Sequence, residues 1–421
     1  MHLLRVSTGL AWLLAAISVP AQPAALTLTE ALARAEARNP SLLAEGQAER
    51  AAEARIDQAG VGPAPTLEVN MENIAGTGRA QGVRGIEATV QASRTFERGG
   101  KRTQRIAFAR RDREVASAEF AVHRAEVIAL TAQAFTSVLV AEQRLTLAED
   151  PVRLAQAVLS AVDARVQAGA ASPAESARAR AALALARAEL TQAEAGLAAA
   201  RAALASTWGG QAADVGRMTG AFALPRSLPP ESTLLAALPG HPQIALQTAV
   251  IARQQAALEL EQGRSTQDVT ASGGVRFLGA DSDAAFVAGV SIPFPLRGRN
   301  EGNLRAARAE LAGTEQRLHA IESALRTAVT AAWQEAATAH HIAATLRTDA
   351  LPAAEEAHTV VRRAYEAGEL PLIDVLDAQR ELAGIRRTLL DAEAACLAAF
   401  VRAESLANPA LPLTTTLLSS P

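Results

Sequence analysis

Two copies of one architecture lie end to end in this chain. Asn39-Pro40 is answered by His241-Pro242, Phe96 to Arg102 (FERGGKR) by Phe294 to Asn300 (FPLRGRN), Asp150-Pro151 by Leu351-Pro352, and Ala168-Gly169 through Pro173 by Ala367-Gly368 through Pro371. The offsets stay between 198 and 202 residues over all four landmarks, so the repeat is of whole domains and not of a local motif. Each copy pairs long alanine-rich helices with a short β-hairpin. This assigns 22–225 to a first repeat, 226–408 to a second and 409–421 to a flexible tail.

Residues 1–21 read as a secretory signal, with Arg5 as the positive end, Val6 to Val19 as the apolar run and Val19-Pro20-Ala21 as the cleavage site. The mature chain is expected to begin at Gln22. The apolar run is about 14 residues, short of the roughly 20 that a spanning helix needs, and no other stretch is expected to qualify. Cys396 is the single cysteine, which excludes an internal disulfide and a lipid on an N-terminal cysteine. Without Arg5, 40 basic residues stand against 44 acidic ones, a net charge of −4 that argues against nucleic-acid binding. Aromatics are 3% of the chain, too few for a conventional core of this size. The abundance of Ala, Arg, Glu and Leu instead suits long helices and coiled coils.

From about Lys101 to Gln167 only Pro151 interrupts helical composition, which predicts a helix roughly 100 Å long. Val138, Leu145, Val152, Leu159 and Val166 recur in sevens, and Val140, Leu147, Leu154 and Ala161 form a second series two positions on. Two positions are about 200° apart around a helix, so the seams face opposite ways and the helix packs neighbours on both flanks. A matching helix is expected over 299–367, with Leu318, Leu325, Ala332, Ala339, Leu346, Ala353 and Val360 in sevens. Shorter helices are expected from about Leu28 to Ala59, Pro173 to Thr207, Ser232 to Gln262 and Leu372 to Ala407. Gly169 and Gly368, each followed by a proline, suit tight helix-to-helix turns.

Before each long helix lies a hairpin with strict alternation, at about 66–74 and 86–96 and again at about 267–279 and 284–294. Leu67, Val69 and Met71 oppose Glu68, Asn70 and Glu72; Ala284, Phe286, Ala288, Val290 and Ile292 follow the same rule. Strands of about ten residues, apolar on one face and polar on the other, suit a membrane-spanning barrel, and a soluble sandwich would alternate in the same way. Four strands cannot close a barrel and an open edge is not tolerated in lipid, so several chains must each contribute four. A dimer would give eight and a trimer twelve; only the wider barrel leaves a water-filled passage.

Gln58-Ala59-Gly60, Pro63-Ala64-Pro65, Leu67-Glu68-Val69 and Glu72-Asn73 resemble the first-hairpin signature of TolC-type outer-membrane efflux proteins, in the CzcC-like heavy-metal branch. Asn39-Pro40, Arg98 to Arg102 and Ala168-Gly169 fit the same pattern; Ala64 stands where the branch often has Asn. The resemblance spans about Leu26 to Ala407. It implies a mainly α fold with a small β part: a trimer whose 12-stranded outer-membrane β-barrel continues as a 12-helix periplasmic α-barrel. The implied partners are a periplasmic adaptor, an inner-membrane RND exporter and outer-membrane lipid, and the implied activity is passive conduction of exported cargo, chiefly heavy-metal cations. The alternatives are the same fold in drug efflux or type I protein secretion, and a soluble periplasmic coiled-coil scaffold.

By the same resemblance, Asp374 and Asp377 match aspartates that ring the periplasmic entrance, and Tyr365 matches a position near that gate. Leu370 stands where the type protein has a basic partner. Spaced i,i+3, the two aspartates share a helix face, and six carboxylates from three chains would attract cations; a solvated helix N-terminus would also favour them. Gly169, Ala170, Gly368, Glu369 and Leu370 resemble the tips that meet the adaptor, although an ordinary helix cap would use glycine equally well. His340 and His341 point about 100° apart on a helix and cannot grip one ion together, and His123, His241, His319 and His358 are isolated, so packing or surface roles are expected. Gly76-Thr77-Gly78 with Gly82 lacks the spacing of a phosphate loop. No catalytic constellation occurs in the sequence, and neither an enzyme activity nor a cofactor is expected.

Overall fold

The computed structural model describes residues 26–78, 81–82, 85–219, 224, 227–279, 281–294 and 300–407. The predicted signal peptide 1–21, the tail 409–421 and most of the Phe294–Asn300 landmark lie outside these residues. The elements are α1 (Leu28–Arg38), α2 (Pro40–Ala59), β1 (Thr66–Glu72), β2 (Glu87–Phe96), α3 (Lys101–Gln167), α4 (Pro173–Ser206), α5 (Glu231–Ala237), α6 (Pro242–Arg264), β3 (Val269–Leu278), β4 (Asp283–Ser291), α7 (Glu301–Thr345), α8 (Leu351–Glu366) and α9 (Leu372–Ala407). A π turn, Leu346–Ala350, joins α7 to α8. The chain is mainly helical with one small sheet.

Helix starts follow from local chemistry. The Asn39 carboxamide oxygen accepts from the Ser41 and Leu42 N–H groups at 2.9 and 3.1 Å, with Pro40 in the first turn of α2. His241 fills the same position in the second half, its Nδ1 accepting from the Gln243 N–H at 3.1 Å ahead of Pro242. An N-cap acceptor followed by proline satisfies one orphan donor and removes another. Ser172 and Glu175 close a capping box at α4.

The four strands form one antiparallel meander in the order β1-β2-β3-β4, so β1 and β4 each leave an edge unpaired. The two hairpins meet where β2 pairs with β3, from Glu87 opposite Leu278 to Phe96 opposite Val269. Just below the sheet, the FERGGKR segment locks one repeat to the other. Asp268 accepts from the Lys101 ammonium at 2.9 Å and from the Arg98 N–H at 3.0 Å; Arg105 pairs with Glu97 and also donates to the Ala59 and Val61 carbonyls. Gly99 has φ +71°, and a Cβ there would lie 2.6 Å from the Thr266 side chain, so only glycine fits this corner.

Helix α3 runs 67 residues, roughly 100 Å, and packs against α1, α2, α4, α6 and α9 along its length. Its middle carries the main core: Phe135 and Val138 are fully buried with Leu26, Leu204, Trp208, Leu397 and Val401. A second cluster joins Leu325 and Val329 of α7 to Leu234, Leu238, Ala403 and Ala407.

Three expectations are corrected. The second seam of α3 does not hold its register, because Leu154 and Ala161 are exposed while Ala155 and Val162 are buried. A 3.6-residue helix drifts about 20° per heptad against a strict sevenfold repeat, so the two heptads from Val140 to Leu154 turn the seam by about 40° toward the next residue. One 18-residue window in α3 is apolar enough to cross a membrane, contrary to the sequence reading; half of it is buried inside the protein, where helices surround the core around Phe135. Finally, the 299–367 element is not a plain α-helix. The π turn does not come from a longer helix, since α7, the π turn and α8 together run Glu301–Glu366, 66 residues against 67 in α3. Leu351 N–H donates there to the Leu346 carbonyl, five residues back. Beyond that turn the seam moves on by one: Ala353 and Val360 are exposed, and Ala354 is buried instead.

His241 is 7% exposed, and burial holds its pKa below the ordinary 6.5. The neutral ring caps α6, so this stability is present above about pH 6.5 and is lost as pH falls toward the folded-state pKa. Thermal melts of the purified protein should show His241→Asn flattening this acid-side decline, with about 1 kcal/mol of cap energy retained at low pH. An unchanged pH profile would remove His241 from the cap.

Candidate functional site

The sheet presents two unlike faces. Leu67, Val69 and Met71 of β1 align through Ala92, Val90 and Ala88 of β2 and Gly273, Val275 and Phe277 of β3 with Ala288, Phe286 and Ala284 of β4. No helix packs on this face among the described residues; Phe286 is 93% exposed, Leu67 73% and Val290 70%. A soluble sandwich would cover such a surface, whereas lipid suits it as it stands.

The opposite face is hydrogen-bonded and polar. Glu68 accepts from Asn70 at 2.9 Å and from Gln91 at 3.0 Å. Arg276 donates to Thr89 at 3.1 Å and lies 3.6 Å from Glu87, and Thr66 pairs with Ser93 at 2.7 Å.

At the far end of the long helices are two matching turns. Gly169 has φ +72° and Gly368 φ +82°. The Ala170 N–H donates to the Arg165 carbonyl at 2.8 Å, and the Glu369 N–H to the Ala364 carbonyl at 2.9 Å, the five-back bond of a Schellman cap. Open space surrounds both glycines where a Cβ would stand, so backbone angle and not crowding demands glycine. Gly169, Ala170, Gly368 and Glu369 are exposed and Leu370 is half-buried, which leaves both tips available to another molecule.

Tyr365 lies between the two tips. It packs against Val162, Leu372 and Leu376, and the Arg165 guanidinium stands 5.1 Å from its ring centroid, a cation–π contact. Its hydroxyl is buried without a hydrogen-bond partner among the described residues, so within one chain Tyr365 acts by packing. Asp377 pairs with Arg380 at 2.6 Å. Asp374 has no ion pair among the described residues, and Asp374 and Asp377 sit in the first two turns of α9. Sequence reasoning passed over Arg380, which the i,i+3 spacing made visible, and Arg165, which nothing near Tyr365 in the chain signalled. It also passed over Arg387, which lies 3.2 Å from both carboxylate oxygens of Glu189 across an open cleft of about 1030 Å³ between α4 and α9. Among the histidines, His319 faces Glu322 at 3.5 Å and His123 faces Glu126 at 3.2 Å. No cluster of three metal-ligating side chains occurs among the described residues.

A bare apolar sheet face, a polar reverse side and helices reaching far beyond the sheet define a subunit of an outer-membrane channel. The sequence matches the outer membrane efflux protein family over residues 31–210 and 242–408. It is 34% identical over 358 residues to the cobalt-zinc-cadmium resistance protein CzcC of Cupriavidus metallidurans, covering 85% of this chain and 84% of that protein. Among solved structures, the CmeC outer membrane channel of Campylobacter jejuni superposes with a TM-score of 0.75 at 14% identity, covering 94% of this chain and 87% of that one. The outer membrane protein VceC of Vibrio cholerae superposes with a TM-score of 0.72 at 17% identity, covering 90% and 96%. The chain belongs to the outer membrane efflux protein family and is an outer-membrane protein.

Replacing Gly368 by alanine should cost about 1–2 kcal/mol by forcing a side chain into the left-handed region, read as a lowered melting temperature of the purified protein. Glu369→Ala, one residue on, should change stability by less than about 0.5 kcal/mol. Equal effects would place the demand elsewhere than the backbone angle.

Proposed function

We propose that three copies of this chain form one conduit, twelve strands in the outer membrane and twelve helices across the periplasm, through which exported cations leave the cell. The conduit works passively between a periplasmic adaptor, which meets the tips around Gly169, Ala170, Gly368, Glu369 and Leu370, and a proton-driven inner-membrane RND exporter. The observation that carries the reading is the uncovered apolar sheet face bounded by two unpaired edges. Lipid tolerates such edges only when another strand pairs with them, and a wide barrel is what leaves room for water. The domain limits, 22–225 and 226–408, follow the same repeat.

Heavy-metal cargo is supported by the identity to a cobalt-zinc-cadmium resistance protein. Asp374, Asp377 and Tyr365 are proposed to form the periplasmic gate. Arg380 partly neutralises Asp377, so Asp374 supplies most of the field that favours cations at the mouth. In planar bilayers, Asp374→Asn should lower cation-over-anion selectivity more than Asp377→Asn. Unchanged selectivity in both variants would remove these residues from the conduction path.

Cells lacking the protein should become more sensitive to zinc, cobalt or cadmium than to lipophilic drugs. A growth panel in which only drug sensitivity rises would reassign the cargo.

A further inference from the structure

The second long helix carries two apolar seams one residue apart, and the π turn selects between them. In α7 the seam against α9 follows alternate steps of four and three: Leu325, Val329, Ala332, Ala336, Ala339 and Ala343 are all buried. Continued through the π turn, that spacing lands on Leu346, Ala350, Ala353, Ala357, Val360 and Ala364, every one apolar. Yet Ala353, Ala357 and Val360 are exposed, and the positions turned inward are Ala354, His358, Val361 and Tyr365. The seam in use is chemically the poorer one. His358 Nε2 and the Tyr365 hydroxyl are both buried without a hydrogen-bond partner among the described residues, and such atoms disfavour the arrangement that buries them.

Pro352 tips the balance toward the π turn. In a regular α-helix it would leave the Thr348 carbonyl without its donor and press its ring on that carbonyl; the wider turn relieves the clash. We infer that Leu346–Ala350 is a register switch: relaxing its π turn to α rotates α8 by one residue and exchanges the Ala354/His358/Val361/Tyr365 seam for Ala353/Ala357/Val360/Ala364. One residue is about 100° of rotation and 1.5 Å of rise. Tyr365 then leaves its place against Arg165, Val162 and Leu372, with the small Ala364 in its stead, and the grip between the two tips is released. Stretches of π helix often mark such functional points in a helix, and the exchange is between two discrete packings of one sequence. The consequence for the gate rests on the channel reading; the exchange of seams does not.

The test uses the full-length purified protein with Cys396 replaced by alanine and single cysteines at Val360 or Val361, labelled with a fluorescent maleimide, alongside single-channel recording. Wild-type Val360→Cys should label fast and Val361→Cys slowly. Pro352→Ala removes the clash and should speed Val361→Cys and slow Val360→Cys, raising open probability by about tenfold. Deleting Thr348 takes out the residue by which the π turn exceeds an α turn, so it should keep the wild-type labelling pattern and lower open probability by about tenfold. Labelling rates and open probability unchanged by Pro352→Ala would overturn the inference, as would slow labelling of wild-type Val360→Cys, which would mean that a neighbouring subunit covers that seam. Absence of conductance in every protein would sink the channel reading instead, and labelling alone would then decide the register.

Discussion

Two unpaired strand edges set the terms for the rest of this molecule. Each backbone N–H and C=O along β1 and β4 that faces away from the sheet needs a partner, and lipid offers none. A sheet with one apolar face in the bilayer is therefore incomplete in a single chain, however well its own β1-β2-β3-β4 ladder is made. In the proposed conduit, completion by identical copies accounts for the bare face around Phe286 and Leu67 and for the polar reverse side, where Glu68 is bonded to Gln91 and Thr89 to Arg276. Among the described residues no helix makes an extensive contact with the sheet, which suits the proposed placement of one face against lipid and the other against water.

The helices inherit their placement from the corner beneath the sheet. Lys101, the only lysine in the chain, joins Arg98 in holding Asp268 of the other repeat, while Arg105 gathers Glu97 and the carbonyls at the end of α2. Such contacts fix the direction in which α3 leaves the hairpin, and Gly99 is the residue that lets the chain turn there. Midway along α4 and α9 the pairing of repeats is looser. Arg387 and Glu189, 198 residues apart, reach across an open cleft instead of packing, and exposed ion pairs of that kind contribute little to stability.

The two long helices are nearly equal in length, 67 and 66 residues, yet they differ in winding. Pro151 is accommodated in α3 without a change of helix type, whereas Pro352 follows a π turn. Proline alone is thus not the cause. The wider turn sits next to a proline, where a backbone hydrogen bond is already missing and a change of winding costs least.

Much of this was legible in the residues themselves. The repeat, the alternation in the strands and the glycine turns at the tips are local or periodic signals, and each depends on backbone geometry that neighbouring residues dictate. Asp374 and Asp377 were singled out by the family resemblance, and only their shared helix face follows from the i,i+3 spacing. What the sequence could not determine was which chain segments meet: Arg165 over Tyr365, Lys101 on Asp268 and Arg387 on Glu189 join residues nearly a repeat apart, and no local pattern encodes them. Nor could sevenfold spacing reveal the slip of the α8 seam. Heptads say which positions are apolar, but whether Ala353 or Ala354 faces inward depends on the helix winding, and that was decided only when both ends of the second helix were fixed by tertiary contacts.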